Sequence, residues 1–254
     1  MNIIVCFKVV PEEQDITVNA DRSLSTAKAE PKISTYDLNA LEAAVQLASE
    51  TGGKVTALSI GGSMLENGKV RKDVLSRGAD ALSIVIDPSL DNLLPYETAQ
   101  VLKAALSKLD YDVVLCGEGS ADLYAQQVGV LLGEMLGVPA LNAVSKVSHA
   151  GGKLEVERSL EDEVEVLEVT LPAVISVTSD INVPKIPSMK NILAAGKKPV
   201  QVMTLQDLGV TGLESSVVME EMLAPERTAR KKVIIEGDSA EAVAEFAGYL
   251  SKML

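Results

Sequence analysis

The sequence predicts an α/β fold built on a mostly parallel, doubly wound sheet, and three observations carry that prediction. Short β-branched runs with nearly continuous hydrophobicity recur through the first two-thirds of the chain, as strands covered on both faces require. Segments with helical periodicity lie between them. After about residue 150 the pattern changes to strict alternation, which adds an antiparallel hairpin with one solvated face.

In chain order, Ile3 to Val10 reads as the first strand. Ser34 and Asp37 form a capping box ahead of a helix marked by Leu38, Leu41, Val45 and Ala48. Val55 to Ile60, Ser83 to Ile86 and Val113 to Cys116 are the next buried strands. Val101, Leu102, Ala105, Leu106 and Leu109 mark a second helix, and Leu123 through Leu136 a third, ended by Gly137 and Pro139. Gly129 and Gly133 lie four apart on the third helix, so a bare face can pack closely on the sheet. Leu154, Val156 and Leu160 alternate with Lys153, Glu155, Glu157 and Ser159, and a second alternating stretch runs to Leu171. Pro172 to Val177 is another apolar strand, while Pro184, Pro187 and Pro199 make Asp180 to Val200 mostly loop.

Residues 1–208 are therefore expected to form one α/β domain and residues 209–254 a C-terminal arm. In the arm the hydrophobic pattern weakens until Val233 to Ile235, and a short amphipathic helix follows with Ala240, Val243, Phe246 and Leu250. Such an arm either folds back on its own domain or packs on a partner.

Composition narrows the function. The 254 residues carry a net charge of −13, which disfavours general nucleic-acid affinity because phosphate contacts need a basic face. With no Trp, two Phe and five Tyr there is no aromatic platform for stacked bases. Cys6 and Cys116 both lie in apolar runs and suit reduced, buried thiols. His149 is the single histidine, and no zinc-ligand spacing occurs. No run reaches the roughly 18 apolar residues of a membrane span, and Met1 to Val10 lacks the basic region of a signal peptide. A soluble, cytoplasmic protein is expected.

Ligands of open parallel sheets bind beyond the carboxyl ends of the strands. Four loops qualify: Cys6 to Lys8, Ser34 to Asp37, Gly61 to Ser63, and Gly117 to Asp122. The last is the richest, with Gln126 and Gln127 expected in the first turns of the following helix. Its residues suit either a phosphate cradle or an ordinary capped turn. Neither a GxGxxG fingerprint nor a P-loop stands there. No nucleophile with a base can be named, and Glu161, Asp162, Glu163 and Glu165 read as a solvated hairpin turn. A site that binds without acid, base or metal implies that a cofactor carries any reaction.

With these features the sequence resembles the beta subunit of electron-transfer flavoproteins, and within it the FixA-like branch associated with acyl-CoA and carnitine metabolism. The stretches that carry the resemblance are VERSLEDEVEVLEVTLPAVISV at Val156 to Val177, GEGSADLYAQQVG at Gly117 to Gly129, RKDVLSRGAD at Arg71 to Asp80, and SDINVPKIPSMKNIL at Ser179 to Leu193.

The resemblance implies a Rossmann-like, adenine-nucleotide-binding sheet and a heterodimer with an alpha subunit that holds a redox-active FAD. The beta subunit would bind AMP or, in bifurcating members, a second FAD that accepts hydride from NADH. Electrons would pass between an acyl-CoA dehydrogenase-type partner and another redox partner, with no stand-alone catalysis by this chain. The implied nucleotide contacts fall on Cys6, Ser34, Thr35, Tyr36, Asp37 and Ile60, and on Gly117, Glu118, Gly119, Ser120, Ala121, Asp122, Leu123, Tyr124, Ala125, Gln126, Gln127 and Val128.

Met189 is implied as the apolar anchor of a loop that recognises the dehydrogenase, whereas composition alone also allows it to cover its own core. Two departures concern the nucleotide. Gly119, Ser120, Ala121 and Asp122 replace the family's Gln-Ala-Ile-Asp, and Ser34 and Thr35 replace its Asn-Pro. From a different class, a universal-stress-type nucleotide-binding module would share the sheet and carry no electrons.

Overall fold

The computed structural model describes residues 1–213, 215, 217–226 and 232–252. Nine strands make its central sheet: β1 (Asn2–Cys6), β6 (Lys54–Gly61), β7 (Ala81–Ile86), β8 (Val113–Gly117), β9 (Ala140–Ala150), β10 (Lys153–Ser159), β11 (Val164–Val169), β12 (Ala173–Val177) and β13 (Val200–Met203). Their spatial order is β11-β10-β9-β12-β8-β1-β6-β7-β13. The short strands β2 (Val9–Pro11) and β5 (Pro31–Ile33) pair with each other, as do β3 (Thr17–Val18) and β4 (Leu24–Ser25). Pairing is parallel from β9 through β12, β8, β1, β6 and β7 to β13, and antiparallel between β9, β10 and β11. The doubly wound sheet with its added hairpin is therefore present.

Side-chain alternation divides each central strand between two cores, as a period of two demands. Ile3 and Val5 of β1, with Val113 and Leu115 of β8, join one core, which α1 (Thr35–Thr51) and α2 (Gly68–Ser76) cover through Leu41, Ala44, Leu47, Val70 and Val74. Ile4, Cys6, Val114 and Cys116 face the other core, covered by α3 (Pro95–Leu106) and α4 (Val128–Leu136) through Val101, Leu102, Leu106 and Leu132. The glycines of α4 do pack bare against the sheet. A Cβ on Gly129 would stand 2.0 Å from Ser176 Oγ, and one on Gly133 would stand 2.4 Å from the Ala140 Cβ.

Several elements differ from the sequence-based expectation. The first strand stops at Cys6, because the Lys8 N–H turns to the Asp37 carboxylate at 2.7 Å and the chain leaves to pair as β2. Residues 140–150 form β9, whose small and polar residues conceal it and whose partners on both sides hold it. The third helix begins at Val128 instead of Leu123, since Tyr124 and Gln126 adopt φ of 47° and 57°, outside any right-handed helix. Leu109 lies beyond the end of α3.

The Pro-rich segment contains α5 (Met189–Ala195), capped by Ser188, whose Oγ accepts from the Asn191 N–H at 3.3 Å. The chain leading to α5 is tied to α1. Asn39 Nδ2 donates to the Ser179 and Asn182 carbonyls at 3.0 and 2.8 Å, and Lys185 Nζ lies 2.8 Å from the buried Glu42.

Contacts divide the chain into two units, Met1–Thr17 with Ser25–Glu221, and Val18–Leu24 with Met222–Leu254. In the second unit Ser23 bridges Leu223, and α6 (Ala240–Leu250) starts at Ser239, which accepts from the Ala242 N–H at 3.2 Å. Val233–Ile235 lie outside any strand. Val243, Phe246 and Leu250 form an exposed apolar face of α6. Of the expected arm, residues 214, 216, 227–231 and 253–254 lie outside the described residues.

Candidate functional site

The carboxyl ends of β1, β6 and β8 lie side by side, with β1 between the other two. That order gathers the four loops. Cys6 ends β1, Ile60 is the penultimate residue of β6, and Gly117 ends β8. Because Val5 pairs with Leu115, Cys6 and Cys116 are neighbours one step further along. A hydrogen bond with Cys116, together with burial, pushes the Cys6 thiol well above the ordinary range, so it is a neutral, structural group.

Ser34 and Asp37 occupy the positions of a capping box, but neither side chain caps α1. Ser34 Oγ instead accepts from the Ala121 N–H at 3.2 Å. Asp37 reaches across two loops. One oxygen accepts from the Lys8 N–H at 2.7 Å and the other from the Gly117 N–H at 3.2 Å. The α1 start is thereby fastened to the ends of both β1 and β8. Burial pushes the Asp37 carboxyl up to about 7, against the two N–H groups, the Ser34 hydroxyl and the Lys8 charge, all of which favour its ionised form.

The loop from Gly117 to Gln127 is anchored at its base and open at its tip. Glu118 N–H donates to the Val177 carbonyl at 2.9 Å, and Tyr124 N–H to the Ser120 carbonyl at 2.9 Å. Gly117 has no space for a side chain, since a Cβ there would lie 2.7 Å from both Asp37 Oδ1 and the Tyr36 carbonyl carbon. A Cβ on Gly119 would lie 2.7 Å from the Tyr124 ring. The Tyr36 and Tyr124 rings meet with centroids 5.0 Å apart at 40°, which closes the loop over the start of α1. Thr35, Ala121, Asp122, Ala125, Gln126 and Gln127 are exposed, and Leu123 is half-buried. Gln126 and Gln127 precede α4 and do not lie in its first turns.

Two acids at these loops would repel an anion, and both have partners in the structure. Asp37 spends its oxygens on the two backbone donors. Asp122 pairs with Lys8, Nζ to Oδ2 at 2.6 Å. Burial opposes ionisation of Asp122, but Lys8 and Ser120 outweigh it and hold the carboxyl below the usual range. Lys8 stands in the first of the four loops, where a lone lysine gives no sign in sequence of this role.

Donors remain for an anion. Leu131 N–H makes a bond to the Gln127 carbonyl at 3.0 Å. The N–H groups of Val128, Gly129 and Val130 precede it and have no intrahelical acceptor. Together with the positive end of the α4 dipole they give a surface that favours negative charge. Among the described residues, no group of three or more His, Cys, Asp or Glu could hold a metal ion.

Met189 is not part of this cluster. It is the first residue of α5, 74% exposed, beside Ile186 at 91% and Leu193 at 71%. It therefore does not cover its own core. No helix among the described residues is long and apolar enough to cross a membrane. The chain matches the model of the electron transfer flavoprotein domain over residues 22–208, the greater part of its 254 residues, and it belongs to that family.

Proposed function

We propose that the chain is the beta subunit of a heterodimeric electron-transfer flavoprotein of the FixA-like branch, and that it binds an adenine nucleotide at the carboxyl ends of β1, β6 and β8. The convergence of four loops on that edge, beside N–H groups at the start of α4 that have no intrahelical acceptor, carries the reading. The loop from Gly117 to Val128 would take the phosphates through backbone N–H groups, and Cys6, Ser34 to Asp37 and Ile60 would line the rest. A flavin, when bound, supplies the one- and two-electron chemistry. The chain's own residues position the nucleotide, and the Lys8–Asp122 pair limits repulsion of its charge.

The partner is an alpha subunit carrying FAD, the nucleotide here is AMP or a second FAD, and electrons pass to or from an acyl-CoA dehydrogenase-type enzyme. The arm beyond residue 208 packs on the alpha subunit. To test this, the chain is purified with the large flavoprotein subunit and denatured, and the released FAD and AMP are counted per complex. One FAD with one AMP supports a structural nucleotide; two FAD without AMP support a second redox flavin. A colourless chain that keeps ATP and joins no flavoprotein would overturn the proposal in favour of a stress-type module.

Exposure of Met189, Ile186 and Leu193 supports a docking role for the segment before and within α5. Met189→Ala is expected to slow electron transfer to the dehydrogenase about tenfold or more, the effect of truncating an interface anchor. Its melting temperature should match the parent, since a surface truncation changes stability by less than about 0.5 kcal/mol. An unaltered transfer rate would remove Met189 from the docking surface.

A further inference from the structure

A cavity of about 630 Å³ lies beyond the ends of β7 and β13, between the loop at Ser89–Leu94, the start of α3, Leu205, Val210–Leu213, Ser215 and Val217–Met219. That volume is in the range of built ligand pockets. Its walls are largely apolar, with Leu93, Leu94, Leu205 and Leu213 among them. Glu97, in the first turn of α3, lines it and is 4% exposed. Its Oε2 is buried and makes no hydrogen bond, the one such side-chain atom among the described residues. Leaving a buried acceptor without a donor is costly, so the acid is out of place unless something supplies one.

Two features define the donor. Val217, Val218 and Met219 also line the cavity and are 60%, 81% and 48% exposed, so whatever fills it must also cover an apolar run. A small molecule inside the cavity would leave that run in water; a protein surface covers both. Among the described residues that line the cavity Glu97 is the one charged side chain, and no Lys or Arg is among them. A basic side chain is the complementary group.

We propose that this cavity is an anchor pocket for the partner subunit, in which a Lys or Arg flanked by apolar residues enters over Leu93 and Leu213 and donates to Glu97 Oε2. The inference rests on the heterodimeric reading above and adds to it the pocket, the anchoring residue and the chemistry of the partner's contact. Glu97 is a binding residue here and takes no part in electron transfer.

Glu97→Gln separates this role from a structural one, because the two predict opposite signs. It removes the charge that attracts the basic group while keeping the shape. The dissociation constant of the complex with the flavin-bearing subunit, measured by titration with the full-length chain, should rise tenfold or more, and the melting temperature of the isolated chain should not fall. Val218→Ser, which alters only an exposed side chain, should weaken the complex severalfold. A Glu97→Gln complex within twofold of the parent overturns the proposal while leaving the heterodimer intact. If Glu97→Gln fails to fold, Val218→Ser decides, and unchanged affinity in it overturns the proposal. Failure of the parent chain to join a flavoprotein subunit overturns the functional reading and this inference together.

Discussion

Gly117→Ala is expected to destabilise the protein by about 3 kcal/mol and, on the proposed nucleotide site, to weaken nucleotide binding there, an effect far beyond the size of one methyl group. Overpacking a well-filled site typically costs about 1–3 kcal/mol, because neighbours must leave their preferred positions. At Gly117 one of those neighbours is backbone: the new Cβ would lie 2.7 Å from the Tyr36 carbonyl carbon. The other is Asp37 Oδ1, also at 2.7 Å, the atom that accepts from the Gly117 N–H. The start of α1 would have to retreat from the end of β8, stretching the bonds from Asp37 to both Lys8 and Gly117. Urea unfolding and the nucleotide content of the purified complex check the two parts separately. A variant that unfolds at the parent's midpoint with its nucleotide retained would show that the β8 end is not held as described.

The same residues show what sequence can and cannot disclose. β6, β7, β8 and β12 are legible because their burial on both faces leaves a continuous apolar run, which no loop needs. β9 is not, since Ala140, Asn142, Ser145 and Lys146 carry no strand signal and the pairing with β10 and β12 decides their conformation. The start of α4 falls later than its sequence suggests because Leu123 to Gln127 are acceptable helix residues in isolation. Only the left-handed turns at Tyr124 and Gln126, imposed as the loop closes on Tyr36, exclude them.

The four loops follow from topology alone, because strand order and direction fix which ends meet. The wiring within them does not. Ser34 and Asp37 have the spacing of a capping box, yet each accepts from a backbone N–H more than 25 residues away, a choice that depends on β1 and β8 being adjacent. The Glu97 pocket has no signal of its own, as an isolated acid in an amphipathic helix reads as an ordinary solvated residue.

Asp37 gives the second large effect, in the pH dependence of stability. Its carboxyl is pushed from an ordinary value of 3.8 up to about 7 in the folded protein, first by burial. A raised carboxyl pKa means that the folded chain holds a proton the unfolded chain has released, so this group lowers stability as pH rises from about 4 to about 7. Above that window the contribution levels off, and below it both states are protonated. At roughly 1.4 kcal/mol for each pH unit crossed, the stability lost over the whole window is about 4 kcal/mol.

The 36 acidic residues also repel one another more strongly as pH rises, so the slope of the parent alone does not isolate Asp37. Asp37→Asn does. Its amide cannot titrate, and it must set an NH₂ group against one of two N–H donors, so the variant should be less stable than the parent near pH 4. As pH rises to 8 the parent loses the Asp37 contribution and the variant does not, and the gap between them should close or reverse. Urea midpoints for both proteins at pH 4, 6 and 8 measure that difference. Parallel curves would mean that Asp37 is ionised throughout, with the N–H groups of Lys8 and Gly117 and the charge of Lys8 outweighing its burial.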